Sequence, residues 1–277
     1  MAYPEAFHDI AVTLLPEALA TFRKTSAPQL LDLASIEKLL PSLVTSATTR
    51  LNNAQLGIEH KEFQEIFQYG ITAYSEVYLE GDWRPYLLFA ELFNKMALVE
   101  NLQEWALNIL SVPQSAVAVE VNPVAPIMLA KMNSRFNTNN HVLAERWILQ
   151  NTIFREAIEE YNRKYNLNLK PFTLETPEQF SSLATNIDVF VSSSLEAMSL
   201  GWRTVLDLAV KLLKRRGTLI AMFPDNAREG LRTLLKIWKI PEYPPLEKIL
   251  RDLQDARFTQ IRYHVQGPFT LIYAQKR

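Results

Sequence analysis

Ala116-Val117-Ala118-Val119-Glu120-Val121 runs straight into Asn122-Pro123-Val124-Ala125-Pro126, and the fold turns on how this junction is read. The first six residues are small or β-branched and almost all apolar, the pattern of a strand covered on both faces within a parallel sheet. A helix is expected from about Ile127 to Arg135. A strand that turns directly into a helix is the first unit of an alternating strand–helix array. The first turn of such an array is ordinarily rich in glycine, so that backbone can approach a ligand closely. This turn has no glycine, and neither does any position from Trp83 to Leu200.

The alternation continues downstream. His141–Ile148 and Pro171–Glu175 are weaker strand candidates, separated by a helix over Thr152–Tyr165 with a charged outer face. Pro177–Leu183 reads as a short helix with Thr176 as its N-cap. Ile187-Asp188-Val189-Phe190-Val191 is the clearest strand. Trp202–Lys214 reads as an amphipathic helix stopped by Arg215, Arg216 and Gly217. A fifth strand, Thr218–Phe223, precedes a helix over Ala227–Ile240, a rigid linker at Pro241–Pro245 and a helix over Leu246–Leu253. Phe258–Val265 and Phe269–Ala274 flank Gln266-Gly267-Pro268, which predicts an antiparallel hairpin.

Upstream of Pro113 the texture is helical. Leu30, Leu31, Leu33, Ile36, Leu39 and Leu40 recur at helical spacing, as do Phe63, Ile66, Phe67, Ile71, Tyr74 and Tyr78. A further helical run follows Pro85, and Leu102–Leu110 gives one more short helix. The expected division is therefore a helical domain over 1–112 and an alternating domain over 113–277.

Composition narrows the function classes. With 29 basic and 30 acidic residues, the net charge of −1 carries no nucleic-acid or anionic-membrane footprint. No apolar run reaches bilayer length, and Met1-Ala2-Tyr3-Pro4-Glu5 does not open a signal peptide. Cysteine is absent, which excludes disulfides, thiolate metal sites and a cysteine nucleophile, and fits a cytoplasmic location. His8, His60, His141 and His264 show no metal-ligand spacing, so no metal site is expected. No P-loop or G-x-S-x-G elbow occurs. The basic cluster Lys211, Lys214, Arg215 and Arg216 is accounted for by a helix C-terminus.

Five strand–helix units followed by a hairpin resemble the class I S-adenosylmethionine-dependent methyltransferases. The likeness is carried by three segments within residues 113–277: Ile187–Met198, Lys214–Ala221 and Gly267–Ala274. It implies an α/β, Rossmann-like fold, mostly parallel with an antiparallel C-terminal hairpin, beside an N-terminal helical cap. It also implies S-adenosylmethionine as cofactor. Glu120 matches the acidic position of the family's first motif. Asn122, Val124 and Pro126 stand where the family has glycines, a departure that adds side-chain bulk and removes backbone donors.

Glu145 matches the acid that accepts from the cofactor's ribose hydroxyls, and reads equally as an exposed charge beside Arg146. Glu175 falls near the adenine-contacting position, and also reads as a loop acid before Thr176. Ser192 and Ser193 end the fourth strand where a crevice is expected, although small residues also simply release a strand.

Glu196 is the candidate catalytic base. Tyr78 and Trp83, in an aromatic concentration of the helical half, and His141 are candidate substrate contacts; packing is the usual explanation of all three. Two functions follow. One is methyl transfer to a small molecule. The other is a methyltransferase-like chain that has lost its cofactor and acts as a partner-binding scaffold, or as a cyclase or isomerase in the same crevice. A homo-oligomer or protein partner would meet the N-terminal helices.

Overall fold

The computed structural model describes residues 94, 97–123, 125–149, 152–174, 187–224, 240–267 and 269–277. From Ala97 onward these lie in one compact unit, 97–226 with 240–277. The helices expected over the first 96 residues, over Pro177–Leu183 and over nearly all of Ala227–Ile240 lie outside the described residues.

Seven strands form one sheet in the order β3-β2-β1-β4-β5-β7-β6. They are β1 (Val117–Val121), β2 (Asn139–Ala144), β3 (Lys170–Thr173), β4 (Ile187–Ser192), β5 (Leu213–Pro224), β6 (Phe258–Gln266) and β7 (Phe269–Lys276). β1 pairs in parallel with β2 and β4, β2 with β3, and β4 with β5; β7 runs antiparallel to both β5 and β6. The mostly parallel sheet with a terminal hairpin is therefore present. The apolar runs explain the centre: Ile187, Val189, Phe190 and Val191 are fully buried, as strands covered on both faces require.

The helices are α1 (Ala97–Ile109), α2 (Ile127–Phe136), α3 (Arg146–Leu149), α4 (Thr152–Tyr165), α5 (Leu195–Met198), α6 (Gly201–Leu212) and α7 (Leu246–Asp255). α1 packs on β6 and β7 within the same compact unit, and its Trp105 ring stacks on His264 at 5.6 Å.

Two boundaries differ from expectation. The second strand stops at Ala144 instead of continuing to Ile148. The Glu145 carbonyl accepts from the Ile148 and Leu149 N–H groups, so the chain closes a helical turn as soon as it leaves the sheet. The second difference is the stop of α6. Leu213 is already extended, at φ −69° and ψ 133°, and opens β5.

In that second case Gly217 is not the left-handed terminator; Arg216, at φ 66°, takes that conformation. Gly217 is needed for space. A Cβ there would lie 2.9 Å from the Ile187 carbonyl oxygen and 2.9 Å from Leu213 Cδ2, where β5 slips register against β4. Nor does the local basic cluster alone close the helix. Lys276, from β7, donates to the carbonyls of Val210 and Leu213 at 2.6 Å each, placing a cation on the free acceptors of the helix end. Burial lowers the Lys276 pKa.

Lys214 is committed elsewhere. It pairs with Asp188, whose other oxygen accepts the Val117 N–H at 2.9 Å and so fastens β4 to the start of β1. The edge strand β6 carries a register shift between Thr259 and Arg262, with Gln260 at φ 49°. That irregularity, with exposed Arg262, blunts the edge against further strand pairing.

Candidate functional site

In an open α/β sheet, ligands lie beyond the carboxyl ends of the strands, where successive connections leave on opposite faces. Here those ends are the tips of β1, β2 and β4, and Asn122 is the residue at which they meet. It takes φ 46°. Asparagine is one of the few residues that visit this left-handed region readily, so it meets the backbone demand that glycine usually meets. At Asn122 the left-handed backbone is thus kept although the residue is not glycine.

The Asn122 side chain then does what glycine cannot. It is fully buried. Its Nδ2 donates to Glu145 Oε2 at 2.7 Å and to the Glu196 carbonyl at 3.4 Å, while its Oδ1 accepts the Glu145 N–H at 2.9 Å. Its backbone N–H donates to the Leu143 carbonyl, and its own carbonyl accepts from the Ser194 hydroxyl at 3.0 Å. One residue therefore ties the tip of β1 to the tips of β2 and β4. Glu145 follows β2 directly and is half-buried, neither a freely solvated charge nor a core group.

Glu120 lies one layer deeper. Its carboxyl is fully buried, accepting from the Leu129 N–H in α2 and from the Ser193 hydroxyl, both at 3.4 Å. Burial pushes it up to about 8, against those two hydrogen bonds, and the neighbouring charge of Glu196 pushes the same way. At neutral pH Glu120 is thus mostly protonated and caps a helix from inside. Two N-terminal donors of α2 are satisfied within the protein: Leu129 N–H by Glu120, and Ile127 N–H by the Ala125 carbonyl.

Ser192 is the last residue of β4, buried and paired with Ala221 of β5. Ser193 is buried against Glu120. Ser194 accepts the Ala197 N–H at 3.0 Å and starts the short turn α5, in which Glu196 is buried. The structure thus brings together Glu120, Asn122, Glu145, Ser192, Ser193 and Glu196.

His141 is not brought to this group. It stands in the middle of β2, paired with Val119 of β1, three residues before the strand ends, about 10 Å short of the tip. Its ring packs edge-on against Phe172 of β3, and burial, then the Lys170 charge, lowers its pKa. As a crevice contact it is corrected: a strand places its residues by register, and this register leaves His141 inside the sheet. Glu175, Tyr78, Trp83 and Val124 lie outside the described residues. Among the described residues no cluster of His, Asp or Glu is arranged to hold a metal ion, and no helix is long and apolar enough to cross a membrane.

Two supports of the site carried no sequence signal. Tyr243, in the proline-rich linker, donates to the Met198 carbonyl and stacks on Phe223 with ring centroids 6.0 Å apart. Trp202 donates to Asp252 at 3.0 Å, joining α6 to α7. Apolar-run and motif reasoning sees neither pair, because the partners are 45 and 50 residues apart.

No family model matches the chain, and no curated protein does. Solved structures do. The CurJ carbon methyltransferase is 16% identical over 87% of this chain and 70% of its own, with a TM-score of 0.56. An O-methyltransferase family protein from Burkholderia thailandensis is 13% identical over 98% of this chain and 92% of its own, at 0.51. Phosphoethanolamine N-methyltransferase 2 from Haemonchus contortus, solved in complex with S-adenosyl-L-methionine, is 9% identical over 64% of this chain and 52% of its own, at 0.51. At such identities the shared property is architecture: the chain has the Rossmann-like fold of the class I methyltransferases.

Proposed function

We propose that this chain, built on the class I methyltransferase fold, is an S-adenosylmethionine-dependent methyltransferase acting on a small molecule. The observation that carries the reading is Glu145, a half-buried carboxylate held at the tip of β2 beside the turn leaving β1. The donor set suits the cofactor. A carboxylate there accepts from ribose hydroxyls, and the left-handed backbone of Asn122 keeps the turn that the family builds with glycine. When bound, S-adenosylmethionine supplies an electrophilic methyl group.

The chain's own residues bind and orient. Glu145 receives a ribose hydroxyl. Glu120, protonated at neutral pH, keeps a second negative charge out of the crevice wall. Ser192 and Ser193 close the β4 side, and Glu196 is the candidate base for the acceptor's proton. Glu175 is assigned to the adenine, and Tyr78 and Trp83, in the helical N-terminal half, to the substrate. Methyl transfer needs chiefly alignment and exclusion of water, so the absence of an obvious triad is no objection. The cytoplasm is the proposed compartment, and the N-terminal helices the proposed face for a second copy or a partner.

Calorimetric titration with S-adenosylhomocysteine tests this. Saturable binding that Glu145→Ala weakens about tenfold is expected, the loss of one hydrogen bond to a charged group. No heat of binding with the folded protein overturns it.

One observation favours a second reading. The Asn122 side chain lies fully buried among three strand tips, close to where a cofactor would enter. A chain of this fold without cofactor would serve as a partner-binding scaffold, or as a cyclase or isomerase in the same crevice. Binding seen only after Asn122→Gly would support it.

A further inference from the structure

We infer that Asn122 is a positioning residue that occupies one oxygen of the Glu145 carboxylate, so that the site receives one ribose hydroxyl more firmly than its vicinal neighbour. This rests on the methyltransferase reading and deepens it.

A free carboxylate at a strand tip can accept from two adjacent hydroxyls at once, one on each oxygen. At this tip Oε2 already takes the Asn122 Nδ2 at 2.7 Å, a short bond to a charged acceptor. Among the described residues no hydrogen bond engages Oε1. A ligand hydroxyl at Oε2 would have to share that oxygen with the buried amide, on its second lone pair, and so bonds there more weakly than at Oε1.

The amide cannot turn over to free that oxygen. Three contacts set its orientation: Oδ1 faces the Glu145 N–H, and Nδ2 faces both Glu145 Oε2 and the Glu196 carbonyl. A flipped amide would set an oxygen against a carboxylate and a carbonyl, and a donor against a donor. Nor can the residue withdraw. Its backbone is fixed in the left-handed region, its N–H is bonded to Leu143 and its carbonyl to Ser194. The Glu145 N–H fixes the Asn122 amide, and the amide in turn holds Oε2, so the remaining oxygen is turned away from Asn122.

Glycine at this position would give the turn without the clasp. The difference between the two residues is therefore readable in ligand selectivity, which a merely structural role would leave unchanged.

The test is calorimetric binding of S-adenosylhomocysteine and of its 2′-deoxy and 3′-deoxy analogues to the full chain, as wild type and as Asn122→Gly. In the wild type, removal of one hydroxyl should weaken binding about tenfold, and removal of the other about twofold or less. In Asn122→Gly the two analogues should be penalised alike. Asn122→Ser, whose side chain is too short to reach Oε2, is the second variant; urea unfolding checks that each is folded. Equal large penalties in the wild type, or an unequal ratio that persists in both variants, overturn the inference and leave the methyltransferase reading standing. No binding to any folded variant overturns both. Binding to Asn122→Gly alone also overturns the inference, and supports a chain whose own asparagine excludes the cofactor.

Discussion

The Tyr243 hydroxyl donates to the Met198 carbonyl across 3.1 Å, and this bond ties the segment after β5 to the turn that follows β4. The same ring lies parallel to Phe223, at an interplanar angle of 6°. Tyr243 therefore holds the floor under Ser194 and Glu196 from outside the parallel sheet. Tyr243→Phe keeps the stacked ring and removes the donor. It should cost about 1–2 kcal/mol, the price of a buried acceptor losing its partner. Urea denaturation measures it; an unchanged midpoint would show that the bond contributes nothing.

Asp188 is the corresponding fastener at the opposite end of the sheet. One oxygen accepts the Val117 N–H and the other pairs with Lys214. Asp188→Ala leaves a strand-end N–H without its acceptor and a lysine without its counter-charge, and should destabilise by about 1–3 kcal/mol. Asp188→Asn keeps an oxygen for Val117 and should cost less. The ordering of the two unfolding midpoints is the check, and a larger loss for the asparagine would contradict the assignment.

Much of this architecture was legible from apolar runs. Val117–Val121, Ile187–Val191 and Phe269–Ala274 announce themselves because a strand buried on both faces must be almost wholly apolar. Thr152–Tyr165 was legible for the complementary reason, a charged outer face at helical spacing. What could not be read was conformation and reciprocity. Asn122 stands in the sequence as a missing glycine, yet its left-handed φ restores the turn and its amide grips Glu145, 23 residues away. Lys276 closes α6 from 63 residues beyond Leu213. No local pattern carries such pairings. His141 shows the opposite failure: a residue type that suggested chemistry is taken into the sheet by register.

Gly217 has the sequence position of a helix terminator and acts as a spacer. Its missing side chain lets β5 approach the Ile187 carbonyl where the register slips. Two of the three atoms that a Cβ would meet are backbone oxygens, at 2.9 Å and 3.0 Å, which no side-chain rotation can clear. Gly217→Ala should therefore destabilise by about 1–3 kcal/mol, as overpacking does. An alanine gains helix propensity, so a true terminator role would give a different result in a far-ultraviolet spectrum: more helix, with little loss of stability. Thermal unfolding and the spectrum together decide between the two roles.

The buried Glu120 carboxyl makes stability depend on pH with a definite sign. Burial raises it from the ordinary 4.5 to about 8 in the folded chain. Below 4.5 the group is protonated folded or unfolded, and the full stability is present. Between 4.5 and about 8 the unfolded chain gives up the proton while the folded chain keeps it, so the folded state binds more protons and stability falls as pH rises. Above that range both states are ionised and the loss is complete. One proton sets a limiting slope of about 1.4 kcal/mol per pH unit. His141, whose pKa burial lowers, acts oppositely, losing stability as pH falls below the ordinary histidine value of 6.5, so total stability mixes the two. The difference between the wild type and Glu120→Gln isolates the carboxyl, because His141 is common to both. That difference should move against the wild type steadily from pH 5 toward about pH 8. A difference that stays flat across the range would mean that Glu120 is ionised in the folded state, as a solvated acid would be, and that the α2 N-terminus is capped by a carboxylate.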